Sequence, residues 1–104
     1  MKTRKLGQIE VSEIGMGCMA FSHGYGAIPE REYAIEAIRN AYTHGCTFFD
    51  TAEVYGNVLY YEHHNEEILG EALHDVRKNI VIATKLHIHD DEINEDMYDV
   101  CKRH

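Results

Sequence analysis

Apolar positions along this chain alternate between strand-like runs and helix-like spacing. Thr3 to Leu6 and Ile9 to Val11 flank Gly7-Gln8, a pattern that predicts a small β-hairpin. Glu13 to Met19 is apolar and punctuated by glycine, which predicts a buried strand ending in a loop. Phe21 to Ile28 holds two glycines without periodicity and reads as loop. Pro29 stands where a first helical turn accepts proline. From Glu30 to His44, Ala34, Ile35, Ala37, Ile38, Ala41 and Tyr42 recur at helical spacing, opposite Glu36, Arg39 and Asn40. Gly45 is a helix stop, and Cys46 to Phe49 is a short β-prone run ending at Asp50. Gly56 to His64 is irregular. Asn65 is the expected N-cap of a second helix, with Glu66 and Glu67 favourably placed against the helix dipole. Its apolar stripe is Ile68, Leu69, Ala72, Leu73 and Val76. Asn79 to Thr84 is nearly continuous in apolar residues, as strands buried on both faces are. Asp90 or Asp91 is the expected cap of a third helix, with Ile93, Met97, Val100 and Cys101 on one face.

The order is therefore a hairpin followed by β-α-β-α-β-α, without internal repeat or linker. Alternation of strand and helix predicts α/β architecture: a parallel sheet with right-handed crossovers. Three parallel strands cannot close a barrel. They leave two edges and an uncovered apolar face, so the 104 residues by themselves are expected to associate or stay partly molten.

Composition narrows the partners. The apolar fraction of 44% and charged fraction of 27% are ordinary for a globular domain. A formal net charge of -8 argues against nucleic acid or an anionic membrane as partner. Cys18, Cys46 and Cys101 are far apart and odd in number, so neither a disulfide framework nor a zinc knuckle is expected. The basic start Met1-Lys2-Thr3-Arg4-Lys5 is not followed by the apolar region of a signal peptide. With no long apolar segment either, the expected location is the reducing cytoplasm.

Candidate chemistry lies where parallel α/β proteins build their sites, at the C-terminal ends of the strands. Asp50, Tyr55 and Lys85 all fall there. Singly, each has an ordinary structural role: a turn-forming acid, a packed loop aromatic, a solvated amine. Together, after consecutive strands, they suit the donation of a proton to a carbonyl oxygen. A free phenol titrates near about 10, too weak for efficient transfer near neutrality. An adjacent ammonium favours the phenolate, and Lys85 can supply it while Asp50 holds the lysine in place. Such a trio titrates as a coupled set.

Four motifs sharpen this reading. They are Val11-Ser12-Glu13-Ile14-Gly15-Met16-Gly17-Cys18-Met19, Phe49-Asp50-Thr51-Ala52-Glu53-Val54-Tyr55-Gly56, Asn65-Glu66-Glu67-Ile68-Leu69-Gly70 and Val81-Ile82-Ala83-Thr84-Lys85. In this order they resemble the N-terminal part of the aldo-keto reductases over nearly the whole chain. The leading hairpin agrees, because that family plugs its barrel with one.

The resemblance implies an N-terminal fragment, residues 1–104, of a TIM (β/α)8 barrel: the hairpin plus about three βα units. It implies an oxidoreductase that reduces aldehydes and ketones with NADPH, NADH not being excluded. Tyr55 would be the proton donor, Lys85 its activating ammonium and Asp50 the partner of Lys85. Gly17, Cys18, Met19 and Asp50 would lie at the cofactor, and a small carbonyl compound would be the partner molecule.

The family's histidine, which follows a fourth strand, has no counterpart among the eight histidines here, nor is there a 2′-phosphate site. The chain alone is therefore expected to lack reductase activity. The alternative is a truncated or regulatory, non-catalytic interaction protein of the same family, with open sheet edges offering a route to self-association. Tyr60 and Tyr61 are candidates for a substrate-side loop or simple loop aromatics. His63-His64, His87 and His89 invite a metal reading, but no Cys or carboxylate pattern completes one in sequence, so no metal site is expected.

Overall fold

The structure is a computed structural model that describes residues 1–24 and 26–104. Strands β1 (Thr3–Leu6) and β2 (Ile9–Ser12) pair antiparallel, with Leu6 opposite Ile9. Gly7 makes the turn at φ 64°, a left-handed conformation that glycine adopts without steric cost. Side-chain bonds lock this hairpin to the start of the next unit. The Ser12 N–H donates to Thr47 Oγ1 and the Thr47 N–H donates to Ser12 Oγ, both at 2.9 Å.

The second sheet is parallel, in the order β3 (Met16–Gly17), β4 (Phe48–Asp50), β5 (Val81–Ala83). Met16 faces Phe49 and Gly17 faces Asp50, while Asp50 faces Ala83. Three strands in sequential order form an open sheet, not a closed barrel. Both β3 and β5 pair only with β4 among the described residues. The Cα radius of gyration, 14.8 Å, exceeds the about 13 Å typical of a compact chain of this length.

Two helices cover one face. Helix α1 (Arg31–Thr43) buries Ala34 and Ile38, and α2 (His64–Leu73) buries Ile68, Leu69, Ala72 and Leu73. These pack on Phe49, which is fully buried at the centre of β4. Phe48 and Asp50 point to the other face and are only half-buried.

Several expected boundaries shift. The run from Glu13 to Met19 yields only a two-residue strand. Gly15 presses against Phe48, where a Cβ would lie 3.1 Å from the ring and 3.3 Å from the carbonyl oxygen. Met19–Phe21 is a 3-10 turn, and the loop expected after it falls partly on Tyr25, outside the described residues. Pro29 precedes the helix rather than opening it, since Glu30 is the extended N-cap residue. The stripe of α2 does not reach Val76, which sits in a 3-10 segment, His74–Asn79. The strand expected over Asn79 to Thr84 is limited to β5, and its residues are half-buried because it is an edge.

The last helix departs most. Asp90–Glu92 is an isolated 3-10 turn, and α3 spans Met97–Arg103. Its cap is Asp96, whose carboxylate accepts from the Tyr98 and Asp99 N–H groups at 3.0 and 3.2 Å. Of the expected apolar face only Val100 is buried, and Ile93, Met97 and Cys101 are exposed. Charge does the docking instead. Arg103 reaches Glu92 at 2.6 Å and Glu95 at 3.0 Å. His104 lies between Glu53 and Glu92, with a ring nitrogen 2.9 Å from a carboxylate oxygen on each side.

A carboxylate only accepts hydrogen bonds, so two such partners require N–H on both ring nitrogens. The Glu92 and Glu53 contacts accordingly raise the His104 pKa above its usual 6.5. Arg103, then the His89 N–H and His104, hold Glu92 down at about 2. The contribution of His104 to stability is thus complete below about 6.5 and lost as pH rises through its elevated folded value. That of Glu92 is complete above about 4.5 and lost as pH falls towards about 2. An NMR titration is expected to place the His104 midpoint above 6.5, and one at or below that value would contradict this docking.

Candidate active site

Lys85 follows β5 by two residues, and its ammonium reaches back across the sheet to β4. It donates to Asp50 Oδ2 at 2.9 Å, to the Thr51 carbonyl at 2.8 Å and to the Tyr55 hydroxyl at 3.2 Å. Its nitrogen also lies 5.0 Å from the Tyr55 ring centroid. The three donors of the ammonium thus meet three acceptors, which fixes a long side chain without burying it. Desolvation pulls the Lys85 pKa down, but the bonds to Asp50 and Tyr55 outweigh it and the net direction is up. Lys85 is therefore a cation throughout the neutral range. Lys85 and Asp50 remain about half exposed, at 53% and 46% of their side-chain surface, so solvent screens the pair. Their value lies in geometry more than in stability.

The backbone brings these groups together. Thr51 N–H donates to the Ala83 carbonyl and Glu53 N–H to the Lys85 carbonyl, extending the β4–β5 pairing beyond the strands. On the other side, Cys18 N–H donates to the Asp50 carbonyl. Gly17 and Asp50 are thereby neighbours at the C-terminal ends of β3 and β4. Gly17 is exposed, and a Cβ built there would meet no atom within 4 Å. Cys18 is fully buried, Met19 half-buried. Burial, then the charge of Asp50, pushes the Cys18 thiol up to about 12, so this sulfur is not a nucleophile.

A buried polar cluster beneath the trio is absent from the sequence reading. Asn65 is not the N-cap of α2: the helix starts one residue earlier, after His63 in a left-handed conformation at φ 73°. The Tyr55–His63 loop folds back, and the Tyr55 carbonyl accepts from the Asn65 N–H at 3.3 Å. The Asn65 side chain is thereby freed for the sheet. It accepts from Thr51 Oγ1 at 2.6 Å and donates to the Cys18 carbonyl at 2.8 Å and to Ser22 Oγ at 2.9 Å. Ser22 Oγ also meets His64 Nδ1 at 2.7 Å. Desolvation, with Arg31 second, lowers the His64 pKa, so this imidazole is neutral near pH 7. Tyr60 stacks on it at 4.0 Å and Tyr61 donates to Glu67 at 2.7 Å, so both aromatics engage α2.

Glu53 is likewise missing from the sequence reading, although it stands inside the Asp50–Gly56 motif. It is 2% exposed and accepts from the His87 N–H at 2.8 Å, pinning the segment after Lys85. A charged residue two positions before Tyr55 was the available signal.

The sequence profile of the Aldo/keto reductase family matches residues 13–103. The chain belongs to this family. It is 41% identical over 80 residues to Probable aldo-keto reductase 1 of Glycine max, which covers 76% of this chain and 22% of that protein. It is 34% identical over 100 residues to oxidoreductase YqkF of Bacillus subtilis, covering 94% of the chain and 29% of the relative. Among solved structures, aldo-keto reductase AKR11C1 from Bacillus halodurans, in its holo form, superposes with a TM-score of 0.68 at 32% identity. That match covers 91% of this chain and 29% of AKR11C1. The structural neighbours are aldo-keto reductase TIM barrels, whereas the described residues of this chain form a partial α/β fold without a closed barrel.

Two glycines at this site should respond oppositely to substitution. At Gly56, φ is 96° and a Cβ would lie 2.9 Å from Ser22 Cβ and 3.0 Å from His64 Nδ1. Gly56→Ala is expected to destabilise by roughly 2 kcal/mol or more in urea denaturation. Gly17→Ala is expected to stay within about 0.5 kcal/mol of the parent. Equal effects at the two positions would contradict the packing described.

Proposed function

We propose that these residues serve an NADPH-dependent reduction of aldehydes or ketones to alcohols, with Tyr55 as the acid. The observation that carries this reading is the single ammonium shared by Asp50, Thr51 and Tyr55 at the open ends of the strands. The chain spans 22% and 29% of the two curated relatives described, so the reading concerns the reaction to which these residues contribute.

The strand ends fit a flat cofactor ring. Gly17 is exposed and offers no side chain there, and Asp50 stands beside it. Gly17, Met19 and Asp50 would hold the nicotinamide end of the cofactor, which supplies a hydride when bound, with the fully buried Cys18 behind them. The Tyr55 O–H donates a hydrogen bond to the substrate carbonyl oxygen. As negative charge develops on this oxygen, the phenolic proton of Tyr55 would pass to it. Lys85 then faces the phenolate oxygen at hydrogen-bond range and stabilises it, an effect of preorganised charge rather than of added binding. Asp50 positions Lys85. The products are an alcohol and oxidised cofactor, and solvent returns the proton to Tyr55.

The partner molecule is a small carbonyl compound. Among the described residues no helix is long and apolar enough to cross a membrane. The free thiols Cys18, Cys46 and Cys101 suit a reducing compartment, and we place the protein in the cytoplasm.

Tyr55→Phe is expected to lower kcat for reduction of a broad aldehyde such as 4-nitrobenzaldehyde by about 10²–10⁴-fold in the enzyme that contains these residues. NADPH binding, followed by nucleotide fluorescence, should be unchanged. An unaltered kcat would overturn the assignment of Tyr55 as the acid, and absence of reduction by the parent enzyme would favour a non-catalytic interaction role. The 104-residue chain by itself is expected to self-associate through the open edges of β3 and β5. Sedimentation velocity checks this, and a concentration-independent monomer would contradict it.

A further inference from the structure

Sequence spacing offers His87-x-His89 as two ligands without a third. The folded chain supplies the third. The backbone at His89 is extended, at φ -79° and ψ 155°, and the His87 and His89 rings lie 4.9 Å apart between centroids. Glu62, from the loop that follows Tyr55, meets them. Its Oε1 lies 3.6 Å from His87 Nδ1 and 3.4 Å from His89 Nε2. Both distances are longer than the about 2.7–3.2 Å of a good N–H···O bond. They equal the edges of a coordination tetrahedron. Ligand atoms 2.0–2.2 Å from one four-coordinate ion are about 3.3–3.6 Å apart. The third edge, between the two imidazoles, is at most 4.8 Å, one ligand atom from each of the three residues lying within that distance of the others.

The backbone of this pair is anchored independently of Glu62. His87 N–H donates to Glu53 and His89 N–H to Glu92, at 2.8 and 3.0 Å, and both carboxylates are buried. These bonds fix the backbone positions from which the two imidazoles project. The three side chains themselves are accessible, at 31–45% exposure. A second grouping, His89 with Glu92 and His104, is less suited. Glu92 is already occupied by Arg103 at 2.6 Å, and a guanidinium beside a ligand repels a cation.

We propose that Glu62, His87 and His89 bind a divalent transition ion of the zinc class. Two imidazoles and one carboxylate fit zinc or cobalt better than calcium or magnesium, which take oxygen ligands. Three protein ligands leave a fourth position for water. A bound ion would tie the loop carrying Glu62 to the segment that follows Lys85. Those are the two pieces of chain that carry Tyr55 and its cationic partner.

Titration of the protein with Co²⁺ is expected to give the visible absorption of a four-coordinate site at one equivalent, displaced by Zn²⁺. Zn²⁺ should also raise Tm, because the ion binds only the folded arrangement. His87→Ala, His89→Ala and Glu62→Gln should each weaken Co²⁺ binding by roughly 100-fold. His44→Ala and His74→Ala, on exposed positions elsewhere, should leave it unchanged. Far-UV circular dichroism of each variant confirms folding, and Glu62→Gln keeps the side-chain volume. Absence of binding by the parent protein overturns the proposal. So does binding that survives all three substitutions, which would assign the ion to other histidines.

Discussion

The site depends on one buried carboxamide. Asn65 is fully enclosed, and every side-chain hydrogen bond it makes goes to an element other than its own helix. Through the Cys18 carbonyl it fixes the end of β3, and through Thr51 it fixes the end of β4. Ser22 adds the turn between them and α1. A buried polar group left without partners costs roughly 1–3 kcal/mol, so the arrangement is close to all-or-none. Any shift of one strand end strands several polar atoms at once. The buried side chains carry no unpaired nitrogen or oxygen among the described residues.

From this clamp the electrostatics follow. The clamp holds Thr51 inward, and Asp50, its neighbour at the end of β4, faces outward by strand alternation. Lys85 then finds a carboxylate, a backbone carbonyl and a phenol within one reach. Three contacts from one side chain define a position, whereas a single exposed ion pair would not. Glu53 does for the following segment what Asn65 does for the strands, pinning His87 from a buried position.

What the sequence reveals is local. The hairpin, α1 and the order of strands and helices follow from spacing and turn residues within short windows. The trio of Asp50, Tyr55 and Lys85 is legible because strand ends converge in any parallel sheet. The cap of α2 is misread because Asn65 is a good capping residue by type. Only the return of the 55–63 loop, a tertiary event, supplies backbone carbonyls in its place. The third helix is misread because Asp90 and Asp91 compete with Asp96 on equal local terms. The Glu53–His104–Glu92 bridge joins residues 51 and 12 positions apart, beyond any periodicity. β3 and β5 are shorter than their apolar runs because each can extend only along β4, itself three residues long.

The burial of the thiols has a practical corollary. Cys18 and Cys46 lie inside the core between sheet and helices, whereas Cys101 stands exposed on α3. A thiol-directed label added to the folded chain therefore marks one position, on the helix held by charge. The other two become reactive only when the layer of helices lifts from the sheet. The number of sulfurs modified is thus a direct chemical count of how much of the molecule has opened.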